Sequence, residues 1–277
     1  MEERKLLIDF DILKYTLSSR GIETRLTGEG IYSPCFNLVK SINAWKEILE
    51  NITTKLADEN ILISECMYFY TSRETGRTDY FRTFIDHNYK IQRKKTETAF
   101  SSLFTGIIMD NLDKFVGDTD TSIPNYYGLE TDDTISLTCE TLGINDCIVL
   151  SSDKDFQFKY HTFNPMTMRY SEPCPYKLFE LMVVGDTADN IKGIAGSGIA
   201  AYRKLEEASS SIEELSEMIK DLYLKKNLDF ELTEFMLRPL EKANFEWLDQ
   251  GNTFSVSTPN IGIVVDIINR DMKFLEV

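Results

Sequence analysis

The sequence predicts an α/β fold in which a mostly parallel sheet is flanked by helices and followed by a helical subdomain. Three observations carry that reading. Apolar runs that end in polar or acidic residues recur along the first 155 residues, as expected of buried parallel strands. Helical stretches separate them, which is the alternation of a doubly wound sheet. After Gly185 the texture changes to closely spaced glycines and then to a charged helical stretch without a strong strand signal.

Taken in order, "KLLIDFDIL" (Lys5–Leu13) is the first-strand candidate, leading into a loop. "FNLVKSINAWKEILENITTKL" (Phe36–Leu56) spaces Leu38, Ile42, Trp45, Ile48, Leu49, Ile52 and Leu56 three or four residues apart where they form a stripe, the mark of a long amphipathic helix. "ISECMYFYTS" (Ile63–Ser72) and "CIVLSSDKD" (Cys147–Asp155) read as further strands. Thr96–Phe115 reads as an amphipathic helix, and "VGDTDTSIPN" (Val116–Asn125) as a surface loop. "DDTISLTCETL" (Asp132–Leu142) reads as a helix whose opening acids suit the positive end of its dipole. Ile199–Leu240 is expected to be helical, and the boundary between two domains is expected at 182/183.

Composition narrows the chemistry. The 277 residues are 42% hydrophobic and 27% charged, which is ordinary for a globular protein. No apolar run approaches the roughly 18–20 residues of a spanning helix, and the opening "MEERKLLIDF" does not fit a signal peptide. A cytoplasmic location and no membrane partner are therefore expected. The five cysteines are odd in number and contain no CxxC pair, so free thiols are expected rather than disulfides or zinc. With His87 and His161 as the only histidines, any chemistry must rest on carboxylates.

A formal charge of −15 argues, taken alone, against a polyanionic partner. Segregation of charge answers this in part. Arg82, Lys90, Arg93, Lys94 and Lys95 crowd into "FRTFIDHNYKIQRKK" (Phe81–Lys95), a positive footprint suited to phosphate, although a solvated helix end is the plainer reading of that segment alone.

The acids are placed more tellingly. Asp9 follows the first strand, Glu130, Asp132 and Asp133 open a helix, Asp153 and Asp155 end a strand, and Asp186 and Asp189 precede the glycines. Singly, each pattern is commonest as a turn or a helix cap. Together they flank the strand ends where an α/β sheet collects its ligands. So many carboxylates in one cleft require cations, and all-oxygen ligation is what Mg2+ or Mn2+ prefers, with two ions the economical number. The glycines of "GIAGSG" (Gly193–Gly198) would let a backbone approach a phosphate closely.

Over Leu6–Leu205, "LLIDFD", "YFRTFIDHNYKIQRKK", "GLETDDTISL", "LSSDKDFQF" and "GDTADNIKGIAGSG" occur in an order that resembles the bacterial and bacteriophage 5'-to-3' exonuclease and flap endonuclease family, whose short phage members include a primer-removing ribonuclease H. The resemblance implies a PIN-like nuclease domain over 1–182, then a helix-hairpin-helix duplex-binding subdomain over 183–277 with a C-terminal extension packing back on the core. It implies Asp9, Asp132 and Asp153 as ligands of a first metal, with Glu130 and Asp133 acting directly or through bound water. Asp155, Asp186 and Asp189 resemble the second-metal group. Arg82, Lys90 and Arg93 would face the scissile phosphate, with Lys94 and Lys95 beside them. Gly193, Gly196 and Gly198 would hold duplex phosphates through backbone N–H groups, with a monovalent cation such as K+.

The expected function is divalent-metal hydrolysis of phosphodiester bonds in branched, nicked or gapped duplex DNA or RNA/DNA hybrids, with a replication polymerase or single-strand-binding protein as a helper. Two departures stand out. Where the family carries an aspartate at the end of its second strand, this chain has Tyr70 or Thr71; Asp11, Glu65, Glu74 and Asp79 are the candidate substitutes, Asp11 foremost because it would share a face with Asp9 if the strand continued. Ala200 and Ala201 stand where the family has a Lys-Thr pair, leaving the contact to Arg203 or Lys204. The competing readings are a branched-DNA-binding protein with decayed catalysis and a PIN-type ribonuclease, the latter disfavoured by the hairpin segment.

Overall fold

The computed structural model describes residues 1–28, 30–72, 82, 85–91, 99–125 and 129–241. Its centre is the strand β1 (Glu2–Asp9), whose Leu6, Leu7 and Ile8 are wholly buried. Such a continuous apolar run fits a strand covered on both faces. β4 (Ile61–Tyr70) pairs with it in parallel on one side and β6 (Cys147–Leu150) on the other. β5 (Thr121–Pro124) extends the sheet beyond β4, and β7 (Thr162–Asn164) and β8 (Arg169–Ser171) extend it beyond β6, giving the order β5-β4-β1-β6-β7-β8. Within this sheet, among the described residues, only the β7–β8 pair is antiparallel.

Alternation along β1 divides the core between two faces. Leu6 and Ile8 join Phe10, Leu13 and Leu17 of α1 (Phe10–Arg20) and Trp45, Ile52 and Leu56 of α2 (Leu38–Asp58). Also in this cluster is Ile108 of α3 (Ala99–Met109). Trp45 satisfies its indole N–H there by donating to the Phe115 carbonyl at 3.1 Å. Leu7 faces the other way, onto Ile135 and Cys139 of α4 (Thr131–Leu142).

A separate apolar cluster holds the helical part, built on α5 (Tyr176–Val184), α6 (Ile199–Ala208), α7 (Ile212–Lys225) and α8 (Phe230–Leu237). α5 and α6 are joined through a ribbon of β9 (Gly185–Asp186) and β10 (Ile191–Lys192). Ser211 and Asp229 cap α7 and α8 by accepting from the N–H groups of Glu214 and Leu232, which explains why one long helical stretch becomes three helices. The expected boundary at 182/183 falls inside α5.

Several elements differ from expectation. The first strand ends at Asp9, because Phe10, Leu13 and Leu17 then follow helical spacing onto the core. The third strand stops at Leu150 rather than running to Asp155. Thr121–Pro124 is an edge strand rather than a surface loop; Pro124 is tolerated because it closes an edge. The hairpin of β2 (Ile22–Gly28) and β3 (Ile31–Phe36) was not anticipated, since its residues are largely exposed and carry no clean alternation. Asp186 lies in the ribbon and Asp189 in its turn.

Candidate metal centre and nucleic-acid interface

Parallel pairing brings the C-terminal ends of β1, β4 and β6 to one edge of the sheet, and the acids collect there. Asp9 is the last residue of β1. Ser151, just beyond β6, donates to its Oδ2 at 3.0 Å and receives the Asp153 N–H at 3.0 Å, so the two strand ends are tied together. Asp153 Oδ1 in turn accepts from the Asp155 N–H at 3.0 Å, which bends the chain and turns these acids toward their neighbours.

The other oxygen of Asp9, Oδ1, is buried and has no hydrogen-bond partner among the described residues. Burial, with the charges of Asp11 and Asp153 close by, pushes this carboxyl up to about 7. Burial and then Glu130 raise Asp132 well above the ordinary carboxylate range, with Asp153 adding to the effect. Asp9, Asp132 and Asp153 thus share one electrostatic environment.

A second group adjoins it. Asp155, Asp186 and Asp189 bring one carboxylate oxygen each to within 4.8 Å of one another, a spacing that a single cation can bridge. Burial, then Asp153, pushes Asp155 up to about 7. Asp186 goes the other way: burial would raise it, but Lys154, with Nζ at 2.6 Å, outweighs burial and holds it below the usual range. An orphaned buried oxygen in the first group and three convergent carboxylates in the second, all hard oxygen donors, fit a hard divalent cation.

Glu130 and Asp133 are committed differently. Asp133 is fully buried and accepts from Arg82 Nη1 and Nη2, both at 2.9 Å, and from the N–H of Leu240 at 2.8 Å. Arg82 also donates to Glu130 at 2.9 Å and to the Arg238 carbonyl. The resemblance aims Arg82 at a phosphate and Asp133 at a metal; the fold instead spends both on a buried ion pair at the start of α4. Glu130 further accepts from Tyr89 at 3.0 Å and from the Lys90 ammonium. Burial would raise Glu130, yet Lys90 and Arg82 outweigh it and keep the group low.

Lys90 is seated by backbone as well as by charge. Its φ of 55° is unusual for a non-glycine residue, and its N–H donates to the Asp189 carbonyl at 3.0 Å. Tyr89 reaches from Glu130 to Asp189, 3.3 Å from the latter, and Asn190 donates to the Asn88 carbonyl at 3.0 Å. The 86–91 segment is therefore clamped onto the acidic turn. Arg93, Lys94 and Lys95, predicted to extend this basic segment, lie outside the described residues, as do Glu74 and Asp79 and the expected C-terminal extension beyond 241.

Asp11 does not share a strand face with Asp9. It sits in the first turn of α1, where its Oδ2 accepts from the Thr71 N–H and hydroxyl and from Thr131 Oγ1, and its Oδ1 pairs with Lys14 at 2.6 Å. These four contacts leave it joining α1, the end of β4 and the start of α4. Glu65 is further from the centre in role as well, paired with Lys5 at 2.7 Å.

In the hairpin the glycines divide into two kinds. A Cβ on Gly193 would stand 2.4 Å from the Gly185 nitrogen and 2.5 Å from the Val183 oxygen, so this glycine permits the backbone contact between α5 and the ribbon. Gly196, with φ of +81°, and Gly198 face open space and are exposed, as are Arg203 and Lys204 on the next helix. The latter set is available to a ligand.

Tyr89, Lys154 and Ser151 escaped the sequence reading. Each lies inside a quoted motif: Tyr89 and Ser151 carry no charge to mark them, and Lys154 stands between two acids in "SSDKDF", where only its contact with Asp186, 32 residues away, reveals its place in the site.

The described residues thus form a mostly parallel sheet with a carboxylate cluster at its strand ends and a helical C-terminal region. No family model matches the chain. In sequence it is similar to a 5'-3' exonuclease of Mycoplasmopsis pulmonis, 27% identical over 206 residues, which covers 68% of this chain and 64% of that relative. Its fold is similar to bacteriophage T5 5'-exonuclease with divalent metal ions (zinc) bound, at 14% identity and a TM-score of 0.52 over 84% of this chain and 87% of the other. A bacteriophage T5 flap endonuclease in a pseudo-enzyme-product complex with DNA and metal ions gives 12% identity and a TM-score of 0.53 over 84% and 86%. The resemblance seen in the motifs thus extends to the fold.

Proposed function

We propose that this chain is a divalent-metal-dependent 5' nuclease, a phosphodiester hydrolase acting on flaps, nicked or gapped duplexes, or RNA primers annealed to DNA. One observation carries the reading: the orphaned Asp9 oxygen and the Asp155–Asp186–Asp189 group lie on adjoining stretches of one acidic edge, bridged by Asp153. Two Mg2+ or Mn2+ ions held there would polarise a phosphodiester, supply a nucleophile at neutral pH and offset the charge of the leaving oxygen. Asp9, Asp132 and Asp153 would hold the first, and Asp155, Asp186 and Asp189 the second.

The chain's own residues have separable tasks. Arg82 and Asp133 fix the start of α4 and so aim Asp132. Lys90, joined by Arg93, attracts the phosphate to the acid edge, with Lys94 and Lys95 extending the positive track. Gly196, Gly198, Arg203 and Lys204 grip duplex phosphates, with K+ as the candidate monovalent ion. Two divalent ions would offset only part of the −15 formal charge, so binding should be modest and strongly salt-dependent, and a polymerase or single-strand-binding protein is the expected helper.

A second reading, DNA binding without cleavage, is favoured by Thr71 standing where an acid is expected and being held by Asp11. Cleavage of a 5'-labelled flap and a 5'-labelled RNA primer on DNA, in Mg2+, Mn2+ or EDTA at low salt, separates the two. Metal-dependent cutting near the junction supports the nuclease; binding without cutting in either metal supports the second reading.

A further inference from the structure

Lys154 stands inside the second carboxylate group. It lies between Asp153 and Asp155 in a turn fixed by the Asp155 N–H, and its Nζ is 2.6 Å from Asp186 Oδ2 and 3.3 Å from Asp155 Oδ1. These are two of the three acids whose oxygens converge within 4.8 Å. The lysine side chain is 44% exposed, against 14% for Asp155 and 6% for Asp186, so its stem can swing outward while the acids stay buried. An ammonium is compact and offers three rotatable donors on a flexible stem, which suits a counter-ion that must leave.

We propose that Lys154 is a built-in counter-cation: it holds Asp155 and Asp186 together when no metal is present, and a divalent ion must displace it to bind. This rests on the proposed reading of Asp155, Asp186 and Asp189 as metal ligands. Two consequences follow from charge alone. Without metal, loss of the ammonium leaves buried carboxylates facing one another, which destabilises the fold. With metal, loss of the competitor tightens binding.

The test is calorimetric titration of the EDTA-treated, dialysed full chain with Mn2+, paired with thermal melting before and after metal, on wild type, Lys154→Met and Lys154→Arg. Lys154→Met should melt lower than wild type without metal. Its Mn2+ binding at the Asp155–Asp186–Asp189 group should tighten roughly two- to fivefold, the scale of one partly exposed ion pair. Lys154→Arg, which keeps the charge, should stay near wild type in affinity. Unchanged or weaker Mn2+ binding by Lys154→Met overturns the proposal, and Lys154→Gln provides the same reading if the methionine variant does not fold. Asp155→Asn/Asp189→Asn distinguishes the deeper failure: if wild type and this double variant bind the same number of Mn2+ ions, the ligand assignment itself falls and the counter-cation role with it.

Discussion

Arg82 and Asp133 form a buried bidentate ion pair, each guanidinium Nη lying 2.9 Å from its own carboxylate oxygen, with side-chain exposures of only 3% and 0%. Breaking such a pair strands a charge in the interior. Arg82→Met should therefore cost about 3–5 kcal/mol of stability, read from denaturant unfolding. Arg82→Lys should not restore it, because an ammonium cannot make two parallel bonds. Near-normal stability of either variant would return Arg82 to the role of a phosphate contact.

Asp11 ties α1, the end of β4 and the start of α4 together. Asp11→Ala leaves the Thr71 and Thr131 hydroxyls and the Lys14 ammonium without their acceptor. A loss of about 2–4 kcal/mol in unfolding free energy is expected, the sum of a few such groups. Mn2+ affinity measured below the melting transition should change little. If affinity collapses while stability holds, Asp11 has replaced the missing strand-end aspartate as a ligand.

Acidity offers an independent check on the metal-free protein. Asp9 and Asp155 are both pushed up to about 7, whereas in an unfolded chain aspartate titrates near 4. Between roughly pH 4 and 7 the folded state binds more protons at these groups than the unfolded state, so their contribution to stability is present below pH 4 and lost as pH rises to 7. In EDTA, Asp9→Asn should melt close to wild type near pH 4 and above it at pH 7.5. A variant that melts lower at pH 7.5 would contradict the buried charge assigned to Asp9.

Much of this was legible in the sequence, for identifiable reasons. β1 was found because Leu6, Leu7 and Ile8 form an unbroken apolar run, and α2 because its stripe has one period throughout. The expectation that the acids gather at one edge rests on the convergence of strand ends in a parallel sheet. What escaped depends on partners distant in the chain. That Asp133 is consumed by Arg82, 51 residues away, and Asp11 by Thr71 and Thr131 has no local signature. β5 was misread because its pairing with β4, rather than its own composition, makes it a strand.

The hairpin glycines provide a contrast within one segment. Gly193→Ala would press a methyl against three backbone atoms 2.4–2.5 Å away and should lower the melting temperature by several degrees, as expected of an overpacking cost of about 1–3 kcal/mol. Gly198→Ala meets open space and should leave melting nearly unchanged while weakening duplex binding in a salt-dependent assay. Unaltered duplex affinity for Gly198→Ala would remove this face from the interface.

The most direct test of the central claim compares wild type with Asp155→Asn/Asp189→Asn on a 5'-labelled flap in Mg2+, scoring cleavage and binding in the same samples. The metal-centre account predicts cutting near the junction by wild type, and in the double variant a collapse of cleavage with binding retained. Normal cleavage by the double variant would contradict it.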